Sequence, residues 1–174
     1  MTLDEYQKKR NFDISPEPKG DIELINSDEI KEEKIESAKG NTKGDANGAD
    51  KGHIFVIHEH HATRLHWDLR LEIGGVLRSW AVPKDPIDVN YGTRRLAIQV
   101  EDHPIEYASF EGEIPAGMYG AGTVKLWDSG ELILEEDRIN KLTFELKGKK
   151  LNGVFYLVYV PKMGENSWLF IKKK

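Results

Sequence analysis

Cysteine is absent from the 174 residues, which excludes disulfides, thiolate metal ligands and cysteine nucleophiles, so any bound metal must rest on His, Asp and Glu. No run of about 18 apolar residues is present to span a bilayer, and the opening MTLDEYQKKRNFD is too polar for a secretory signal. The expectation is a soluble, cytoplasmic protein with no membrane partner. An excess of positive charge is also lacking: 25 Lys and Arg stand against 30 Asp and Glu, a net charge of −5. That excludes a bulk basic surface for nucleic acid. The acidity is uneven, however, because residues 1–50 hold 13 acids and 8 bases whereas 51–174 hold 17 of each. A neutral body with clustered Arg and Lys can still bind a polyanion through a few phosphate contacts.

The length suits one catalytic domain. Residues 1–20 read as an N-terminal segment packing on that domain, with one short helix over Leu3 to Phe12. Residues 21–52 read as a low-complexity charged linker, and SDEIKEEKIESAKGNTKGDANGADKG over Ser27 to Gly52 is too poor in apolar residues to offset its ordering entropy. From 53 to 174 the pattern has period two, with β-branched and aromatic residues alternating with polar ones between Gly, Pro and Asp turns. RLHWDLRLE over Arg64 to Glu72 sets Leu65, Trp67, Leu69 and Leu71 against Arg64, His66, Asp68, Arg70 and Glu72. Gly74-Gly75 predicts a hairpin into Val76 to Val82. Arg95 to His103 repeats the alternation, with Leu96, Ile98 and Val100 opposite Arg95, Gln99, Glu101 and His103. Further strands are predicted over Gly122 to Asp128, Glu131 to Leu134, Leu142 to Leu146, Gly153 to Tyr159 and Trp168 to Lys172. The fold class is therefore all-β, an antiparallel barrel of roughly eight strands with short peripheral helices, and a sandwich is the alternative.

The polar face around His66 carries metal and phosphate ligand types in place of the Lys, Thr and Ser of an ordinary solvated strand. His66 and Asp68 lie about 6.6 Å apart along the strand and point the same way, so one ion above the strand can meet both. A third ligand can come from His60 or His61, which leaves positions open for water and a phosphate oxygen. His58 is read as a non-ligand. Arg64, Arg70, Arg94, Arg95 and Lys84 lie in or beside polar strand faces and suit bidentate phosphate binding, although for Arg94 and Arg78 surface pairing with Glu72, Glu101 or Asp102 is the better reading. His103 and Tyr107 are candidates for a phosphate donor or general acid. The Gly-rich stretch Glu113 to Thr123 lacks a P-loop ending and reads as tight turns. Trp80, Trp127 and Trp168 read as core.

The segments HEHHATRLHWDLRLEIGGVLRSWAVPKDP, RRLAIQVEDHPIEYASFEGEIPAGMYGAGTVKLWDSG and SWLFIKKK, with LDEYQKKRNFDISPEP at the start, resemble the 3′-phosphoesterase domain of DNA ligase D, here free-standing. The resemblance implies a β-barrel and a manganese-dependent enzyme, with cobalt, zinc or another divalent metal as substitutes. Its substrates would be the 3′ ends of DNA primer–templates, including ribonucleotide-terminated ends. It would remove a terminal ribonucleoside and then the 3′-phosphate, leaving a 3′-OH for a separate DNA ligase or repair polymerase. Carried across, the metal ligands fall on His60, His66 and Asp68. Arg70, His103 and Tyr107 match positions that contact or activate the scissile phosphate, Arg10 matches a phosphate-meeting arginine, and Lys84, Arg95 and Glu101, with Arg64 nearby, match supporting positions. One position departs: the Lys-Arg-Asp-Phe motif reads Lys9-Arg10-Asn11-Phe12, and Asn11 keeps the hydrogen bonding but not the charge. Two rival readings remain, a non-haem iron oxygenase using His66, Asp68 and a distant His such as His103, and a DNA-end adaptor without activity.

Overall fold

The computed structural model describes residues 1–20 and 53–174, so the linker expected over 21–52 lies outside the described residues. One helix, α1 (Leu3–Lys8), precedes nine strands: β1 (His53–His61), β2 (Leu65–Ile73), β3 (Val76–Val82), β4 (Arg94–His103), β5 (Gly112–Ile114), β6 (Gly122–Arg138), β7 (Lys141–Gly148), β8 (Asn152–Tyr159) and β9 (Ser167–Lys172). Short 3₁₀ turns over Pro86–Asp88, Ile105–Ser109 and Pro161–Met163 link them. The sheet runs β1-β2-β3-β4-β9-β8-β7-β6, and β6 pairs back onto β1, so eight antiparallel strands close a barrel. Short β5 adds to β6 beyond the closure.

Closure puts one residue of each alternating pair inside. Phe55, Ile57, Trp67, Leu69, Leu71, Trp80, Phe144, Phe155, Leu157, Trp168 and Phe170 fill the interior, each contributing roughly 1.5–3 kcal/mol by leaving water. The other face of β1, β2 and β3 is not solvated as on a simple barrel. A second apolar cluster, Tyr6, Val56, Leu77, Tyr107, Phe110, Ile114 and Val124, lies against it and joins residues 1–20 to the barrel. α1 begins with a capping box, Thr2 accepting from the Glu5 amide and Glu5 from the Thr2 amide. It stops at Lys8, short of the predicted Phe12.

Three expectations are corrected. The segment carrying His58, His60 and His61 is itself a nine-residue strand, paired on both sides. The two strands predicted over Gly122 to Leu134 are one 17-residue strand, because Gly130 serves a close approach and not a turn: a Cβ there would lie 2.1 Å from the Lys147 carbonyl oxygen. In β4 the faces are exchanged. Ala97 is the residue that enters the interior, while Val100 opens onto the outside. A bulge follows, a step from Leu77 to Ser79 on β3 matching the longer step from His103 to Val100 on β4. It turns Glu101 and His103 to the same outer side as Val100.

Candidate active site on the outer face of the barrel

The site is built on neighbouring outward positions of β1 to β4. Register aligns His60 with His66, His58 with Asp68, and Val56 with Arg70, so histidines of one strand face the ligand-type residues of the next. The bulge in β4 adds Glu101 and His103, and the loop after β5 adds Tyr119 and Gly120. With His60, His66, Asp68, Arg70, Arg10, Ala62, Ala81 and Tyr107 these four line a cavity of about 270 Å³.

His60, His66 and Asp68 each offer one atom within 4.8 Å of the others. His60 Nδ1 is 3.4 Å and His66 Nε2 3.5 Å from the Asp68 carboxylate. The far nitrogen of each ring meets a carbonyl, His60 Nε2 at Gly120 (2.8 Å) and His66 Nδ1 at Arg64 (2.9 Å). A carbonyl only accepts, so these nitrogens carry the protons and the near nitrogens present lone pairs to an acceptor-only carboxylate. Three electron-pair donors converging with no proton between them fit a divalent cation. His61 turns the other way, pairing with Glu59 at the surface.

Asp68 is held ionised. Burial alone would raise its carboxyl, but the Arg70 guanidinium beside it outweighs this and holds it well below the usual carboxylate range. Arg70 is 2 % exposed and donates from Nη2 to Asp68 (3.0 Å), from Nη1 to Ser79 Oγ (2.9 Å) and from Nε to His58 Nδ1 (3.3 Å). One N–H on each terminal nitrogen remains for a ligand. His58 thus sits behind Arg70 as an acceptor. Burial and the Arg70 charge push it down to about 3, which keeps it neutral.

The N-terminal segment closes the other wall. Arg10 donates to Glu17 (2.9 Å), to the Tyr6 carbonyl (3.1 Å), to Glu101 (2.9 Å) and, from Nη2, to His103 Nε2 (3.2 Å). His103 donates from Nδ1 to the Glu101 carbonyl (2.9 Å). Burial, Arg70 and Arg10 hold it well below its ordinary pKa, so it is neutral and faces Arg10 as an acceptor. Tyr107 lines the cavity, but its hydroxyl donates to Glu17 (3.2 Å) and its ring lies under Arg70 at 4.7 Å.

The predicted residues therefore divide. His60, His66, Asp68, Arg70, Glu101, His103, Tyr107 and Arg10 share one cavity. Lys84 and Arg95 line a second, of about 300 Å³, with Arg94, Leu96 and Leu169. It lies just past the end of β3, at Pro83 and Lys84, and against the first residues of β4. Arg94, read from sequence as a surface pair, makes no ion pair among the described residues, and Arg78 pairs with Asp137 and not with the acids named for it. Arg64 is exposed, and its carbonyl, not its guanidinium, is tied to the site. Asn11 is exposed and accepts from the Asp13 amide in a local turn. The oxygenase triad as drawn with His103 is not assembled, since the third donor near His66 and Asp68 is His60 while His103 stands between Arg10 and Ser79.

Sequence reading missed Glu17, which is 4 % exposed and holds Arg10, Tyr107 and Ser15 together, and Ser79, Gly120 and Tyr119. Ser15-Pro16-Glu17 carried a weak signal, a carboxylate two residues beyond a serine in a segment otherwise read only as packing.

Comparison with known proteins bears on this geometry. The family model described as the DNA ligase D 3′-phosphoesterase domain matches residues 58–159. The chain is 39% identical, over 178 aligned positions covering 99% of it, to the multifunctional non-homologous end joining protein LigD of Pseudomonas aeruginosa. It is 42% identical, over 90% of its length, to the multifunctional non-homologous end joining DNA repair protein LigD of Mycobacterium tuberculosis. Against the LigD of Mycolicibacterium smegmatis it is 44% identical over 69% of its length. The matched stretch spans 18% of the first two relatives and 17% of the third.

Proposed function

Because the chain belongs to the DNA ligase D 3′-phosphoesterase domain family, we propose that it is a metal-dependent phosphoesterase that heals DNA 3′ ends in end-joining repair. It would remove a terminal ribonucleoside and then the 3′-phosphate, leaving a 3′-OH. The observation that carries this reading is the convergence of the His60, His66 and Asp68 lone pairs beside the two unspent N–H groups of Arg70.

His60, His66 and Asp68 would hold a divalent ion, manganese by family resemblance. When bound, such an ion supplies charge against a phosphoryl oxygen and lowers the pKa of a coordinated water. Arg70 and the remaining Nη2 proton of Arg10 donate to the other phosphoryl oxygens and stabilise charge that builds on them. Asp68, His58 and Ser79 fix the guanidinium of Arg70, so little reorganisation is needed as that charge develops. Neutral His103 accepts from Arg10 through Nε2 and so holds that guanidinium toward the cavity, while Tyr107 supports Arg70 from beneath. The cations Lys84, Arg94 and Arg95, one strand step away, suit the phosphate upstream of the reacting one.

The test is a 5′-labelled DNA primer–template ending in one ribonucleotide, incubated with manganese. Expected is a primer shortened by one nucleoside bearing 3′-phosphate, followed by the 3′-OH product. The two products also measure how far Asn11 limits the first step. Release that persists with a chelator, or no product at any divalent metal, would refute the proposal.

A further inference from the structure

Tyr119 is unexplained by the ligand set. It lines the cavity yet is 47% exposed. Among the described residues the other exposed aromatic is Tyr91, which lies outside this cavity beside Lys172. An exposed tyrosine by itself needs no explanation, but this one is held in place. Its loop turns twice, Met118 donating to Pro115 and Ala121 to Met118. Gly122 locks the loop to β1, because a Cβ there would lie 2.2 Å from the His61 carbonyl oxygen. The next residue, Gly120, holds His60 through its carbonyl. Lys9 Nζ lies 4.8 Å and the Arg10 guanidinium 5.5 Å from the ring centroid.

The cavity falls just below the roughly 300–1,000 Å³ of sites that enclose a whole ligand. It has room for a phosphate on its sugar, and the base of that nucleotide is left at the rim. The group at the rim is an aromatic ring on a rigid loop, and every nucleobase offers a π face to such a ring. We propose that Tyr119 is a nucleobase subsite on which the base of the 3′-terminal nucleotide stacks, without preference among the four bases. This rests on the phosphoesterase reading above. The subsite positions the end and takes no part in bond breaking.

The experiment compares 3′-phosphate primers whose terminal nucleotide is either base-bearing or abasic, with the wild type, Tyr119→Ala and Tyr119→Phe. The wild type is expected to show a KM lower by about tenfold for the base-bearing primer. Tyr119→Ala abolishes that difference with kcat nearly kept, and Tyr119→Phe restores it. In parallel, 2-aminopurine at the 3′ terminus reports stacking without turnover: quenched on binding to the wild type, unquenched with Tyr119→Ala. Equal KM values for both primers in the wild type, or an equal loss on both in Tyr119→Ala, would overturn the subsite while leaving the phosphoesterase reading intact. Quenching that depends on Tyr119 without any phosphate release would support the subsite and overturn the activity.

Discussion

The Nη2 of Arg10 donates to Nε2 of His103 across 3.2 Å, tying a residue of the first turn region to one at the end of β4. The same guanidinium lies between two buried carboxylates, Glu17 and Glu101. The N-terminal segment is thus a wall of the candidate site as well as a cover for the barrel.

Removing that guanidinium should cost stability and rate together. Arg10→Ala leaves Glu17 buried without its cation and Glu101 with Lys9 alone, for which about 3–5 kcal/mol is expected, read as a lowered urea midpoint. Arg10→Lys keeps the charge but cannot meet four partners with a planar fork. Its kcat on a 3′-phosphate primer should fall roughly tenfold or more while manganese affinity is retained. An unchanged kcat would exclude Arg10 from phosphate binding.

The ligand set makes a separable prediction. His66→Ala should abolish manganese binding in a calorimetric titration and abolish phosphate release, with the apo thermal midpoint little changed because His66 is partly exposed. For the wild type, metal should raise that midpoint in a concentration-dependent way. If manganese left the midpoint unmoved at all concentrations, the three donors would not form a site.

Gly122→Ala should damage the site from outside it. The added Cβ meets the His61 backbone, and φ is +139°. The loop carrying Gly120 must then shift, and His60 loses the carbonyl that fixes its tautomer. Weaker manganese affinity, by about 10–100-fold as for other outer partners of metal ligands, should accompany the stability loss.

Acid should unfold the protein earlier than its carboxylates alone dictate. His58 is pushed from 6.5 down to about 3, and His103 also lies well below 6.5. Both are depressed in the folded state, so the unfolded chain binds more protons below 6.5, and stability falls as pH drops from 6.5 toward 3. Asp102 works in the opposite direction. Burial first, with Glu5 and Glu101, raises it to about 6 against the pull of the N-terminus and Arg78, so it takes up a proton on the folded side between about 6 and 3.8. The net expectation is a slope near one proton, about 1.4 kcal/mol per pH unit, steepening in Asp102→Asn. A flat urea midpoint between pH 6.5 and 4 would contradict it.

The second cavity predicts a salt effect. Arg95→Gln or Lys84→Gln should weaken primer binding and reduce the slope of log K against log salt by about one contact each, with little change in kcat at saturating primer. Unchanged slopes would remove this cavity from the DNA path.

The alternation in Arg64 to Glu72, with the glycine pair after it, was enough to set the β2–β3 hairpin and to put His66, Asp68 and Arg70 on one face, because period two is local chemistry. Residue types alone also marked those side chains as candidate ligands for a metal and a phosphate. The choice between His60 and His61 was not local. It depends on which of two adjacent β1 residues faces β2's polar side, and therefore on pairing. The direction of Glu101 and His103 depends on a bulge that no alternation pattern announces, since the extra residue inverts the faces midway along β4. Arg10 and Glu17 reach the site only because closing the barrel leaves its outer face apolar around Val56 and Leu77, and burying that patch draws the distant N-terminal segment across it.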